Sequence, residues 1–187
     1  MTTESSSRRM AHPVVARAAE GVLPSWTEAG PKRRDHMGRV AALMGAWAQR
    51  RCQEEYECQR WRAAGWLHDA LRDARLRDLR AALGDHDQEL PGVLLHGPAV
   101  ALRLRDEGLV DQELLTAIEF HSRDHESFGD LGNALYTADF LEPGRPDPQG
   151  IRAEIRSTAL DSLDTAMAEV REIRQGLHPG TRGNRGR

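Results

Sequence analysis

Six side chains of types that hold metal ions stand in or beside apolar helical runs in this sequence. His68 and Asp69 stand together in the stretch Trp61-Arg-Ala-Ala-Gly-Trp-Leu-His-Asp-Ala-Leu-Arg-Asp73, at the end of an apolar helical run. An imidazole beside a carboxylate is costly to bury unless something compensates the pair, and a metal cation does so. His36 lies upstream, and His96, His121 and Asp139 lie downstream, each at or near an apolar helical pattern. Taken singly these residues have structural readings. His68-Asp69 can be a buried pair satisfied by backbone, His96 before Gly-Pro can cap a helix, and His121 can favour the negative end of its helix. Asp139, inside Leu135-Tyr-Thr-Ala-Asp-Phe-Leu141, is harder to place without a partner, because a carboxylate flanked by core residues needs one. The ordered set H…HD…H…H…D reads as a metal core assembled from separate helices.

The elements that must position these residues follow from hydrophobic period. From Lys32 to Arg51 the apolar positions Met37, Val40, Ala41, Met44, Trp47 and Ala48 recur at three- and four-residue steps, and His36 at the start of that stripe points inward. Upstream, Pro13 to Leu23 is expected to form a first helix ended by Pro24, with a loop at 28–31. Cys58 to Leu71 gives the helix that carries His68-Asp69 near its end, with Gly65 allowing close helix packing. A short helix is expected over Ala74 to Leu83, closed by Gly84-Asp85 and followed by a polar loop to Pro91. Pro98 suits the first turn of a helix over Ala99 to Glu107, stopped by Gly108. Asp111 is the N-cap of a helix that delivers His121 to a loop. Ser127 to Leu141 brings Asp139 inward, and a long final packing helix runs from Ile151 to about Leu177.

Length and composition bound the rest. The 187 residues, with 5% aromatics and abundant Ala, Leu and Arg, point to one compact all-α domain over 12–177. The polar, Ser-rich residues 1–11 and the Gly- and Arg-rich residues 178–187 read as disordered tails. A formal net charge of −3, with Arg interspersed among acids, gives no field to recruit nucleic acid. The sequence contains neither 18 consecutive apolar residues nor an N-terminal hydrophobic signal, so the expectation is a cytoplasmic protein with no membrane segment. The two cysteines, Cys52 and Cys58, lack CxxC spacing and read as free thiols in a reducing compartment. His12, His86 and His178 read as solvent-exposed with no role. His125, four residues after His121, either extends the site or sits in a polar lid. Ser122 stands where a zincin pair would need glutamate, so a zinc protease is not indicated.

Four runs carry a resemblance: Arg33-Arg-Asp-His-Met-Gly-Arg-Val40, Ala64-Gly-Trp-Leu-His-Asp-Ala-Leu-Arg-Asp73, Leu94-Leu-His-Gly-Pro-Ala-Val100 and Tyr136-Thr-Ala-Asp-Phe-Leu-Glu-Pro-Gly-Arg145. Together they resemble the HD-domain metal phosphohydrolases, and among them the YqeK-type symmetrical bis(5′-nucleosyl)-tetraphosphatases. The resemblance implies an HD-domain helical bundle with two transition-metal ions, iron in the family, that cleaves diadenosine tetraphosphate into two ADP. On residue chemistry alone, manganese or zinc suits the same ligands. Carried over by position, His36, His68, Asp69 and Asp139 would hold one metal, and Asp69 would bridge to a second held by His96 and His121. Where the family has lysine three residues after the HD aspartate, this chain has Arg72. Where the family has a His-Thr-Thr-Gly turn, it has His121-Ser-Arg-Asp124.

The chemistry implied is in-line attack by a hydroxide bridging the two cations, which also neutralise the phosphoryl oxygens. Asp69 and Arg72 would be the catalytic pair, and Arg72, Arg123 and Arg145 would bind the remaining phosphates. The partner implied is a dinucleoside polyphosphate or another nucleotide, with a homodimer possible. Two other functions fit the residues: a different HD-family nucleotide phosphohydrolase, and a nucleotide- or metal-binding module without turnover.

Overall fold

The structure, a computed structural model, describes residues 10–51, 54–84 and 89–176. The helices are α1 (Pro13–Ala19), α2 (Pro31–Arg51), α3 (Glu55–Leu67), α4 (Leu76–Leu83), α5 (His96–Asp106), α6 (Gln112–Phe120), α7 (Asp130–Leu141), α8 (Ile151–Asp161) and α9 (Leu163–Arg174), with a 3₁₀ turn at Gly92–Leu94. There is no strand among the described residues, and the fold is an all-α bundle. The expected tails at 1–11 and 178–187 lie outside the described residues except for Met10 and Ala11, as do Cys52, His86 and His178.

Helix α3 is the hub, packed against α1, α2, α6 and α7. Its contact with α2 is close because Gly65 has no side chain: a Cβ there would lie 2.5 Å from Ala41 Cα. Met37 and Met44 of α2, Trp61 and Leu67 of α3, Leu114, Leu115 and Ile118 of α6, and Leu131 and Leu135 of α7 are fully buried. Each such side chain contributes about 1.5–3 kcal/mol by leaving water. This shared core fixes the spacing of the helices that present the ligands.

Several boundaries differ from expectation. Helix α1 stops at Ala19, not Leu23. Gly21 takes φ +80°, its N–H bonds Ala18 O and the Val22 N–H bonds Arg17 O, a Schellman stop upstream of Pro24. His12, expected to be exposed and idle, is half-buried and caps α1, its Nδ1 accepting from Val14 N at 3.3 Å. Helix α3 ends at Leu67, so His68 and Asp69 lie in the turns beyond it. The cause is tertiary competition for the backbone: Glu28 N–H takes Ala70 O, Glu28 O takes Asp73 N–H, and Asp73 Oδ2 takes Gly30 N–H. Helix α4 starts at Leu76 rather than Ala74, and α7 starts at Asp130 rather than Ser127. Helix α5 begins at His96, three residues early, and Pro98 still falls in its first turn, where no N–H is needed. The single long helix expected from Ile151 is two: Ser162, extended at φ −146° and ψ 100°, ends α8 and caps α9 by accepting from Thr165 N.

Candidate metal centre

The six ligand candidates come from five places in the chain, and the fold brings them together. His36 projects from the second turn of α2, and His68 and Asp69 follow the end of α3. His96 opens α5, His121 closes α6, and Asp139 lies in the last turns of α7. Gly97 permits the approach of α5 to the end of α6, since a Cβ there would lie 2.7 Å from Glu119 O. His36, His68, Asp69, His96 and His121 are all buried, at 7%, 0%, 4%, 2% and 2% exposure.

All four imidazoles turn Nε2 toward Asp69, whose two oxygens face opposite ways. Oδ2 lies 3.7 Å from His36 Nε2 and 3.6 Å from His68 Nε2, while Oδ1 lies 3.1 Å from His96 Nε2 and 3.4 Å from His121 Nε2. Asp139 Oδ1 joins the first group, 3.2 Å from His36 Nε2 and 4.0 Å from His68 Nε2. The ligand atoms of His36, His68 and Asp69, and separately those of Asp69, His96 and His121, cluster tightly enough to hold an ion. Two ring pairs, His36/His68 at 3.2 Å and His96/His121 at 3.1 Å, point nitrogen at nitrogen. At most one nitrogen of each neutral pair can donate, and a cation accepts from both lone pairs, so the donor set fits metal.

The outer contacts set the rings. His68 Nδ1 donates to Gly65 O at 2.8 Å and His121 Nδ1 to Ile118 O at 2.7 Å, which leaves Nε2 free in both. His36 Nδ1 lies 3.3 Å from Glu142 Oε1. His96 Nδ1 is buried with no hydrogen-bond partner. Burial pushes His68 down to about 4 against the pull of Asp69, and it also lowers His96. Burial alone would raise Asp69 and Asp139, but the surrounding histidines, and for Asp139 also Arg145, hold both carboxyls below their ordinary range. For His36 burial is outweighed by Asp139, Asp69 and Glu142, which leave it raised. The cluster therefore presents ionised carboxylates, with His68 and His96 held toward the neutral form that a cation requires and His36 held toward the charged one.

The sequence pattern gives no warning of three neighbours. Arg33 Nη1 donates to Asp69 Oδ2 at 2.7 Å, Ser122 Oγ lies 3.0 Å from His121 Nε2, and Glu142 is buried at 2% exposure. Arg33 and Glu142 lie within the runs that carry the resemblance, but only the fold shows what they touch.

Of the phosphate-binding candidates, Arg72 is half-buried, with its charge close enough to lower His96, and its side chain makes no hydrogen bond or ion pair among the described residues. Arg145 is tied to Asp139, donating from Nη2 to Oδ1 at 2.5 Å and from Nε to the main-chain oxygen at 2.7 Å. Arg123 lies over the Phe120 ring at 4.7 Å. His125 stacks on Phe120 at 3.9 Å between ring centres, away from the ligand nitrogens. The loop from His121 is clamped from α9: Arg171 pairs with Asp124, and Arg174 donates to Ser122 O while lying 3.9 Å over the Tyr136 ring.

Known proteins share this fold. A crystal structure from Clostridium acetobutylicum, described as a predicted HD superfamily hydrolase involved in NAD metabolism, superposes with a TM-score of 0.62 over 89% of this chain and 90% of that one, at 26% identity. Among curated proteins the chain is similar to symmetrical bis(5′-nucleosyl)-tetraphosphatases. It is 31% identical to that of Staphylococcus aureus over 57% of this chain and 58% of the relative. It is 34% identical to that of Bacillus subtilis over 48% of this chain and 45% of the relative. The chain spans about half the length of the curated relatives it matches. No family model matches it.

Proposed function

We propose that the protein is a metal-dependent hydrolase that cleaves diadenosine tetraphosphate symmetrically into two ADP at a two-metal centre. The observation that carries this reading is the split of Asp69, one oxygen toward His36 and His68 and the other toward His96 and His121. A single ion does not need a carboxylate shared in that way, whereas two adjacent ions do. His36, His68, Asp69 and Asp139 would hold one ion, and Asp69, His96 and His121 the other. Iron is the metal the resemblance favours, and mixed imidazole and carboxylate ligands also suit manganese and zinc. Bound ions would lower the pKa of water at the site and neutralise charge on the phosphoryl oxygens.

The chain's own groups do the positioning. Arg72, three residues from Asp69 and unpaired in its side chain, is free to grip a phosphate in forked fashion. Arg145 and Arg33 pair with Asp139 Oδ1 and Asp69 Oδ2, the oxygens that face His36, and their half-buried guanidinium groups would also attract an incoming polyphosphate. Arg123 belongs to the loop beside His121 and would bind an outer phosphate. The name of the Clostridium neighbour supports a second reading, a hydrolase of another nucleotide such as NAD.

Chromatography of products after incubation with iron, manganese or zinc tests both. Diadenosine tetraphosphate should yield ADP alone. ATP plus AMP would refute symmetrical cleavage, turnover of NAD in preference would favour the second reading, and no product with any metal would leave a binding module.

A further inference from the structure

Glu142 is nearly as buried as the ligands themselves, at 2% exposure, and it follows the last residue of α7. Its Oε2 accepts from Arg39 Nε at 2.5 Å and from Gly144 N at 2.7 Å, so that oxygen is held by two donors. The other oxygen, Oε1, is left for one neighbour, His36 Nδ1 at 3.3 Å. Arg39 stands one turn beyond His36 on α2, so the contact ties the α2 ligand to the end of the α7 ligand helix. A carboxylate against Nδ1 favours the proton there and leaves Nε2 bare toward Asp69 and Asp139. Among the described residues no carboxylate backs the other half of the cluster: His96 Nδ1 is buried without a hydrogen-bond partner, and His121 Nδ1 meets a main-chain oxygen.

We propose that Glu142 is a positioning residue which fixes the tautomer and aim of His36, and that it thereby makes the His36–His68–Asp69–Asp139 half the tighter of two unequal metal sites, filled before the His96–His121 half. The inference rests on the metal-centre reading above. It adds an order of loading and names the residue responsible. Outer partners of this kind change metal affinity by about 10–100-fold, and the first half also has one more ligand than the second. Glu142→Gln preserves shape, but its neutral amide cannot serve Arg39, Gly144 and His36 together: if its oxygen stays toward Arg39 and Gly144, its NH₂ meets the His36 N–H.

The test uses the full chain stripped of metal and Mn²⁺ alone as the probe, with free Mn²⁺ counted by electron paramagnetic resonance. Wild type should show two binding events separated by at least about tenfold. Glu142→Gln should weaken the tighter event by about 10–100-fold and leave the weaker one within about twofold, while Glu142→Asp recovers part of the loss. Nitrogen-15 imidazole spectra of the metal-free proteins, recorded at a pH where the His36 ring is neutral, should show its proton at Nδ1 in wild type and redistributed toward Nε2 in Glu142→Gln. A folding defect would show as lost helical circular dichroism in both variants, and the wild-type two-event titration and tautomer assignment stand apart from it. Two equal events in wild type, an unchanged tight event in a folded Glu142→Gln protein, or His36 protonated at Nε2 in wild type would each overturn the proposal. A wild type that binds no Mn²⁺, Fe²⁺ or Zn²⁺ would overturn the metal-centre reading with it.

Discussion

The two halves of the ligand cluster share Asp69 and differ in what stands behind them. On one side, His36 is backed by the Glu142 carboxylate and His68 by the Gly65 carbonyl, and Asp139 adds a ligand gripped by Arg145. On the other, His121 is backed by Ile118 O, His96 Nδ1 has no partner, and Ser122 Oγ approaches both ring nitrogens, at 3.0 Å from His121 Nε2 and 3.5 Å from His96 Nε2. The first half is built between α2, the turn after α3, and α7, elements tied through the common core. The second depends on the first residue of α5 and a loop after α6. The difference teaches that residues which read alike as letters need not be supported alike: the groups behind a ring decide how firmly it is oriented.

The largest effect is expected where the halves meet. Asp69→Ala should reduce hydrolysis by about a thousandfold or more, as loss of charge stabilisation at a reacting centre does, and should abolish both Mn²⁺ binding events. Survival of either event with wild-type affinity would break the bridging assignment. Next come single-half variants. His68→Ala should remove the tighter event and His96→Ala only the weaker, read by the same titration, and equal damage from both would erase the asymmetry. Arg72→Ala should raise KM by about tenfold, the worth of one charged hydrogen bond, with both metal events intact, and Arg72→Lys should recover much of it. Unchanged kinetics would remove Arg72 from the substrate. Arg174→Ala, which frees Ser122 O and uncovers Tyr136, should cost about 1–2 kcal/mol in urea unfolding and weaken only the second event.

A further prediction concerns pH. His68, held near 4 in the fold by burial against about 6.5 when free, is neutral where the unfolded chain already binds a proton. Its contribution to the stability of the metal-free protein is therefore present above about pH 6.5 and is lost as pH falls toward 4. Denaturant titrations across that window check the sign, and His68→Gln should flatten the slope.

The six converging side chains were legible in the sequence because buried histidines and carboxylates are a local contradiction, charged or titratable letters inside apolar periods. His36 on the α2 stripe and Asp139 between Ala138 and Phe140 announce themselves in that way. The all-α class followed from composition. Element ends were less legible because distant partners set them. Nothing near Leu67 ends its helix; the hydrogen bonds from Glu28 and Gly30, about 40 residues upstream, do. The break at Ser162 hides within a period that Ala159, Leu163 and Ala166 continue, although a serine followed by Asp164 is an N-cap signal. Glu142 reads as an ordinary acid before a Pro-Gly turn, and its burial depends on Arg39, 103 residues away.

The clamp on the His121 loop also bears on how the protein is made. The residues that assemble and back the first half end at Arg145, whereas the loop of the second is fastened by Arg171 and Arg174, near the C-terminal end of the described chain. Synthesis runs from the N-terminus, at about 5–20 residues per second. A ribosome therefore delivers the residues of the first group seconds before those that fasten the His121 loop, so that loop is the last part of the cluster to be set.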